Sequence, residues 1–435
     1  MGNPDFTAIF PNAEQINDLV AGQHAIANAI RGERKNGVVF GFHIDGSESD
    51  PELAVTYLGD ALGLIPAHMD YSAGKFNYGS WADAFFLPRP CMLKYDGTVD
   101  YYLDRNDYTK KADGTASDIA DTAYGGNAMM EWGDNGIIWY KVVPDAGDPN
   151  SASVYIADHK ADDGFVAWSF INNQGQLVPH FYTPIYTGSN DGNGKMRSLS
   201  GLAPTTSTTA TQETTAARSN NADLDILWDT EVLADIILIN FLLILMGKSL
   251  DTQTVFGQGY HTGASSAANL HASGLLNDKG LFFGYNDGSH SVKVFGMENW
   301  WGNHWRRYAG HLLVGGTQKV KLTHGTQDGS TDSDYDQTGS GYLTVTGATP
   351  TGTSSGYISK VLFNALGMFA YTASGDSDKY FCDGLWFANS GTKYALRGGV
   401  GSVGVLCGAF CVHLANDPGL SNWSLGAALS CKPRG

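Results

Sequence analysis

Three glycines near the C-terminus have a spacing that could bind a dinucleotide phosphate. Gly399, Gly401 and Gly404 form the pattern G-x-G-x-x-G directly after the strand-like segment TKYALR. In a dinucleotide-binding fold this loop opens a helix, further strand–helix units follow, and an acidic residue lies about 20 residues on. The chain ends at residue 435, only 31 residues after Gly404, and this remainder includes Pro418. The segment is too short to complete such a fold, so we assign no nucleotide site here.

Other patterns match catalytic or metal sites only in part. The sequence GTSSG at 352–356 has the spacing of a serine nucleophile, but it lies in a Thr/Gly/Ser loop rather than between an apolar strand and a helix. The acidic stretch 328–336 lacks the glycine at position six and the glutamate at position twelve of an EF-hand loop. The twelve histidines are scattered, and no C-x-x-C pair occurs. We therefore predict no catalytic residue, no metal site and no cofactor.

Composition restricts the class of protein and its partners. The 435 residues carry 27 basic and 44 acidic side chains, a net charge of −17, which disfavours nucleic acid and anionic lipid as partners. Charged residues make up only 16% of the chain, against roughly 25% in an average globular protein. The 55 glycines make the sequence unusually rich in turns. This profile favours a strand- and loop-rich protein of the kind found outside cells and on virions.

The cysteines and the apolar segments bear on where the protein is made. Five cysteines, an odd number in a long chain, do not form a disulfide framework, so we expect mostly reduced thiols and assembly in a bacterial cytoplasm. The N-terminus has no basic region followed by an apolar run, and we expect no signal peptide. The apolar run from Val232 to Met246 is interrupted by Asp235 and Asn240 and is shorter than the ~20 residues of a membrane span. It predicts a buried core helix and no membrane insertion.

Periodicity and turn residues predict the remaining elements. Residues 12–31 have an amphipathic helical pattern, which could pack on its own domain or form an oligomer seam. A β-rich module follows over 36–125, with a hairpin at 91–103 that turns at Asp96-Gly97. The Thr/Ala/Ser-rich tract 203–221 predicts a flexible loop or linker. The Gly/Thr/Asp-rich stretch 317–357 predicts an insertion with short strands.

The segment NWWGNHWRRY concentrates aromatic residues. Three tryptophans within six residues would form an adhesive patch if all were exposed. We expect them to pack as an internal aromatic layer: Trp300, Trp301 and Trp305. Gly302 would permit close backbone approach, and Asn299 and Asn303 would bond to local backbone.

Several segments together resemble the C-type-lectin-like fold in its formylglycine-generating-enzyme-like branch. The stretch FGMENWWGNHWRRYAG is similar to that branch's Asn-x-x-Gly-Asn-x-x-Glu-Trp element, with Arg306 and Arg307 around the position of the Glu-Trp pair. The ending, which runs from LRGG to NWSLGAALSCK, resembles the final strands of the fold, with Trp423 before the last strand. More narrowly, 126–435 resembles the variable proteins of diversity-generating retroelements, which include phage tropism determinants.

This resemblance implies an α+β chain with few helices. An attachment or oligomerisation segment (1–35) and the β-rich module would precede a C-type-lectin-like domain at 126–435. In that family a fixed scaffold carries a C-terminal segment that mutagenic reverse transcription rewrites. The implied scaffold comprises the tryptophans named above with Gly398, Gly399, Gly404, Gly408 and Trp423. The implied ligand contacts are Val400, Ser402, Val403, Leu406, Cys411, His413, Ala415, Leu420 and Ser424, with Val405 and Cys407 as further candidates.

The function that the resemblance implies is ligand binding without catalysis. The partners would be a cell-surface receptor, protein or glycan, of a host bacterium and other virion tail proteins, and the chain would be a homotrimer on a phage tail. Ser424 and Leu425 follow Trp423, so the Trp-Asn-Asp motif of calcium-dependent sugar binding is missing. Two alternatives remain open. An oxidase of the formylglycine-generating type would need paired cysteines in a pocket, and a structural virion protein would bury the candidate side chains.

Overall fold

The computed structural model describes residues 37–172, 174–221, 226–323, 335 and 337–433. The chain is strand-rich, with 35% of residues in strands and 10% in helices, which confirms the predicted α+β class at this level. The helix predicted at 12–31 and the segment 1–35 lie outside the described residues.

The strands, in chain order, are β1 (Val39–Ile44), β2 (Val55–Gly59), β3 (His68–Asp70), β4 (Lys75–Asn77), β5 (Arg89–Lys94), β6 (Val99–Tyr102), β7 (Gly126–Trp132), β8 (Trp139–Asp145), β9 (Asp148–Ala157), β10 (Phe181–Pro184), β11 (Ser189–Asn190), β12 (Met196–Arg197), β13 (Leu227–Thr230), β14 (Lys293–Val294), β15 (Met297–Glu298), β16 (Trp305–Val314), β17 (Thr317–Val320), β18 (Leu343–Thr344), β19 (Thr351–Gly352), β20 (Ser355–Asn364), β21 (Gly367–Ala373), β22 (Gly384–Phe387), β23 (Thr392–Arg397), β24 (Val412–Leu414), β25 (Leu425–Ala427) and β26 (Leu429–Lys432). The α-helices are α1 (Ala210–Arg218), α2 (Leu233–Gly247) and α3 (Thr252–Phe256), and short 3-10 turns occur at Trp168–Phe170, Ala267–Asn269 and Gly404–Leu406.

These strands form three main sheets and three small hairpins. The first sheet has the order β2-β1-β9-β8, and the second has the order β13-β26-β10-β7-β5-β6. The third has ten strands in the order β18-β17-β16-β23-β24-β22-β20-β21-β19, with β25 pairing in parallel to β16. The third sheet carries the candidate site, because β23, β24 and β25 flank the C-terminal loops.

The predicted boundary between 125 and 126 was wrong. In the first sheet β1 pairs with β9, and in the second β5 pairs with β7, so both sheets combine strands from either side of that position. One hydrophobic core runs from Phe40 to Leu414. Residues 37–125 are therefore part of the same folded unit as the C-terminal region. Strand pairing between distant segments leaves no mark on local sequence, which is why the boundary could not be located from composition.

The apolar run at 232–246 forms the buried core helix that was predicted. Every residue of α2 is buried, as expected for a helix that is apolar all round. Phe241 contacts the rings of Phe42 and Tyr140 in the first sheet, and Asp235 pairs with Lys432 of β26 at 2.8 Å. The helix thus lies where the sheets meet. In the part of the chain that the structure describes, no helix is both long and apolar enough to span a membrane.

The loop predicted over 203–221 was wrong at its centre, where α1 forms. Thr209 and Gln212 make a capping box, in which each side chain bonds to the other residue's backbone amide. Glu213 on the buried face forms an ion pair with Arg307 at 2.6 Å. These polar contacts stabilise a helix that has no apolar stripe. The hairpin at 91–103 is confirmed as β5 and β6, with Gly97 at φ +78° in the turn.

The stretch 317–357, predicted to be an insertion, is integrated into the third sheet. Its strands β17 and β18 pair at the β16 edge of that sheet, β19 pairs with β21, and β20 begins at Ser355. The acidic stretch 328–336 lies almost entirely outside the described residues.

Candidate functional site

The three tryptophans form the predicted internal layer beneath the C-terminal loops. Trp300, Trp301 and Trp305 are at most 5% exposed. Gly302 lies at φ +78°, and a side chain there would come within 2.6 Å of the carbonyl oxygen of Tyr260, so the expected close backbone approach is confirmed. Trp305 is the member nearest the candidate ligand contacts.

The two asparagines in this segment behave differently from expectation. The Asn303 side chain bonds both to the amide and to the carbonyl of His271, 32 positions away, rather than to local backbone. Neither side-chain polar atom of Asn299 bonds to a described residue. Both asparagines hold positive φ, 55° and 67°. Asparagine tolerates left-handed backbone better than most residues, which explains why it occupies both positions.

A buried charge cluster supports the tryptophan layer. Arg397 stacks on the Trp300 ring with its guanidinium carbon 3.4 Å from the ring centroid, and it bonds to Glu231 at 2.5 Å. Arg306 lies 3.5 Å from the same Glu231 oxygen. Both guanidinium groups also donate to the Trp300 carbonyl oxygen. The cluster fixes the start of β16 and the end of β23, and the C-terminal segment 398–410 begins directly after β23.

The four predicted scaffold glycines each have positive φ. A side chain at Gly398 would press on the Trp301 backbone, one at Gly399 would overlap Cys407, and one at Gly408 would overlap the Asp383 carboxylate. Gly404 faces open space, so its φ of +68° alone favours glycine. The turn geometry therefore restricts all four positions, and close packing restricts three of them.

The candidate ligand contacts divide into a buried and an accessible group. Val400 (3% exposed), Cys411 (1%) and the further candidate Cys407 (0%) pack in the core, so their assignment as ligand contacts was wrong. The others are exposed or half-buried, and we call these eight residues the display surface: Ser402, Val403, Val405, Leu406, His413, Ala415, Leu420 and Ser424. Val403, with Trp423, packs at the edge of the small core around Trp305.

Trp386 is a further member of this region that no sequence pattern indicated. Its half-buried ring is stacked on His413 with a centroid distance of 5.6 Å, and its edge meets Trp305 at 5.1 Å. Trp386 lies on β22, directly opposite His413 of β24 in a parallel pair. No spacing rule connects positions 386 and 413, because that register follows from the folded sheet alone.

His413 is held as a neutral side chain. Burial lowers the pKa of His413 to about 4. Its Nδ1 accepts a hydrogen bond from the Ala415 amide at 3.2 Å, so the proton is on Nε2. A neutral imidazole beside the Trp386 ring offers one hydrogen-bond donor within an aromatic surface.

We expect the NMR signal of the His413 ring to titrate with a midpoint near pH 4, and a His413→Gln variant would assign it. Replacing Trp386 by alanine should move this midpoint towards the unperturbed value of about 6.5, because the ring loses the neighbour that shields it from water. A wild-type midpoint near 6.5 would contradict the stacked, buried ring.

The backbone of the loop at 416–424 is held from outside the loop. Every second carbonyl oxygen accepts a hydrogen bond from a residue elsewhere in the chain. The pairs are Asn416 with the Tyr394 amide, Pro418 with the Ala210 amide, Leu420 with the Arg307 guanidinium, Asn422 with the Ser207 amide and Ser424 with the Trp305 amide. Because these acceptors are carbonyl groups, the anchoring does not depend on which side chains the loop carries.

The segment 398–410 is anchored in a similar way. Three carbonyl oxygens accept hydrogen bonds: that of Gly398 from the Gly302 amide, that of Gly401 from the Ala264 amide and that of Val405 from the Gln253 side chain. The Asp383 carboxylate accepts from the Phe410 amide at 2.7 Å, and burial raises its pKa well above the usual range. The Gly404 amide donates to the His261 carbonyl at 3.1 Å. Both loops are thus fixed through their main chain.

The sequence was compared with models of protein families and with curated proteins, and neither comparison found a match. The interpretation of this site therefore rests on its geometry and on the motifs quoted above.

Proposed function

We propose that this chain is a non-enzymatic receptor-binding protein with a C-type-lectin-like domain, a tail-tip or tail-fibre tropism determinant of a phage. In this proposal the display surface contacts a protein or glycan on a host bacterium. Multiple copies, as a homotrimer joined to other tail proteins, raise the avidity of weak individual sites.

One observation carries the proposal: the loops that bear the display surface are anchored through main-chain atoms by residues outside them. In the 416–424 loop five alternate carbonyl oxygens are bonded in this way. Such an arrangement allows the side chains to differ without loss of the backbone shape. A surface whose side chains vary on a fixed backbone suits recognition of changing ligands, and Trp386 with Trp423 supplies the aromatic contacts that binding surfaces often use.

The two alternatives have less support. An oxidase of the formylglycine-generating type requires an accessible, paired thiol, whereas all five cysteines are buried and unpaired. Burial raises the pKa of the Cys407 and Cys411 thiols, which keeps both protonated. A structural virion protein would bury the candidate side chains, yet Val405 and Leu420 are 39% and 41% exposed.

The test is binding of the fluorescently labelled full-length chain to intact bacteria of the community in which the gene occurs, measured by flow cytometry. The double variant Val405→Glu/Leu420→Glu should lower cell binding at least about 10-fold, because it places one charge on each of the two loops that carry the display surface. Its melting temperature should change little, since both side chains are exposed.

Exposed leucines elsewhere provide the matched control. Leu62 and Leu275 are 67% and 55% exposed, and Leu62→Glu/Leu275→Glu should leave cell binding unchanged. Equal losses in both double variants would reject the display surface as the binding site. A near-repeat of the gene's 3′ end that differs only at adenines, beside a reverse transcriptase gene, would identify the surface as diversified. Without it, a fixed receptor binder would remain.

A further inference from the structure

A cleft lies beside α1, next to the 416–424 loop but lined by other residues than the display surface. It encloses about 350 Å³, at the lower end of the usual range for small-molecule sites. The β11–β12 hairpin and α1 form its walls, and Ala427 of β25 contributes to its floor. Glu213 is the only charged residue among those that line the cleft. The lining residues are Ser189, Asn190, Gly194, Met196, Thr205, Thr208, Thr211, Gln212, Glu213, Thr215, Ala216 and Ala427.

We propose that this cleft binds a neutral, hydroxyl-rich ligand of monosaccharide size, and that it is a fixed sugar site next to the display surface. Sugar binding in the cleft concerns different residues from the display surface, and only its role beside a receptor contact rests on the proposed function.

The electrostatics of the cleft favour a neutral ligand. Glu213 is 3% exposed, and its carboxylate is paired with Arg307 at 2.6 Å and accepts a bond from Thr208 at 2.8 Å. The Arg307 guanidinium is in turn committed to Glu213, to the Thr208 carbonyl and to the Leu420 carbonyl. An anionic ligand would find no cation in the lining, and a cationic ligand would face a carboxylate that is already neutralised. A charged ligand would therefore lose its hydration without compensation.

The hydrogen-bonding groups and the apolar surface fit a sugar ring. Oε2 of Glu213 is buried without a partner among the described residues. Four further polar side-chain groups of the lining make no bond to another described residue: the Asn190 amide nitrogen, the Thr205 and Thr215 hydroxyls and the Gln212 amide nitrogen. They can donate to or accept from ligand hydroxyls. Met196, Ala216 and Ala427 offer an apolar patch on the same cleft. A pyranose combines a ring of hydroxyls with an apolar C–H face, and both features find partners here.

The cleft adjoins the display surface through one side chain. Arg307 contacts Glu213 in the cleft lining and the carbonyl oxygen of Leu420 in the display loop. When a receptor is bound on the loops, a glycan bound in the cleft would add a second contact with the same cell. Two linked weak contacts bind more tightly than either contact alone.

The experiment is saturation-transfer NMR and calorimetry on the full chain with glucose, galactose, mannose, N-acetylglucosamine and N-acetylgalactosamine, each tested separately. At least one should bind with a Kd on the order of 1 mM, as expected for a ligand of this size. Ala216→Trp should weaken that binding at least about 10-fold, because the indole fills the cleft. Thr214→Trp, on the same helix but outside the lining, should leave binding unchanged.

A gentler variant protects the test against misfolding. Thr215→Val keeps the side-chain shape and removes one hydroxyl, so it should weaken sugar binding by about 5- to 10-fold. The single display variant Val405→Glu, which has no contact with the cleft or with Arg307, should bind the sugar as the wild type does, which separates this site from the receptor contact. The proposal is overturned if no sugar binds up to about 20 mM, or if binding survives both cleft variants. Adenosine is tested beside the sugars, and the proposal is also overturned if adenosine binds in the cleft and no sugar does.

Discussion

Replacing Gly408 by alanine is expected to lower the free energy of unfolding by about 3 kcal/mol or more. A methyl group at this position would overlap the buried Asp383 carboxylate, which receives hydrogen bonds from the Phe410 amide at 2.7 Å and from Gln253 at 3.5 Å. The carboxylate would have to move and break these bonds. Urea unfolding at pH 7, followed by tryptophan fluorescence, measures the effect.

Gly404→Ala is the matched control. Gly404 also has a positive φ, at +68° against +152° for Gly408, but no atom lies within 4 Å of the added carbon. The free energy of unfolding of this variant should fall by only about 1–2 kcal/mol, the usual cost of alanine in the left-handed region. Equal losses in the two variants would show that backbone strain alone explains both glycines and that Asp383 is not a fixed support of the loop.

Replacing Glu231 by glutamine is expected to cost about 3–5 kcal/mol, because the change leaves two buried guanidinium groups without their counter-charge. Arg397 and Arg306 lie 2.5 and 3.5 Å from the same Glu231 oxygen, and all three side chains are at most 3% exposed. Glutamine keeps the size of the side chain and one acceptor oxygen, so the loss isolates the missing charge. The same urea titration measures it.

An exposed glutamate provides the comparison for this variant. Glu52 lies in an exposed turn, and Glu52→Gln should change stability by no more than about 0.5 kcal/mol. If Glu231→Gln lowers the free energy of unfolding by less than about 1 kcal/mol, the two guanidinium groups are stabilised by water or by the Trp300 carbonyl rather than by Glu231. Near-ultraviolet circular dichroism would then show whether the tryptophan layer stays ordered.

The sequence predicted those elements whose cause is local. The apolar run of α2 and the Asp96-Gly97 turn both carry their reason within a few residues, and both formed as expected. Helix α1 was missed because its Thr/Ala-rich sequence has no apolar period. The T-x-x-Q spacing of Thr209 and Gln212 was the one available indication, since it matches a capping box.

The site was predicted less completely, for a physical reason. The four scaffold glycines were recognisable because positive φ disfavours a side chain at each of them and close packing also excludes one at three of the four, whatever the partner is. The exposure of the residues between them depends on partners far along the chain. Val400 and Cys411 pack against Trp305 and Leu425, so they are buried where an irregular loop suggested exposure. Trp386 joins the surface through a parallel strand pair that no spacing reveals.

The anchoring of the 416–424 loop through alternate carbonyls has a consequence for its evolution. A carbonyl group is common to every amino acid, proline included, so these five bonds do not select among residue types. Pro418 already illustrates this, since its carbonyl accepts from the first amide of α1. Substitutions of the exposed side chains in the loop are then close to neutral for folding. Single mutations can therefore change the surface chemistry of this loop with little loss of stability.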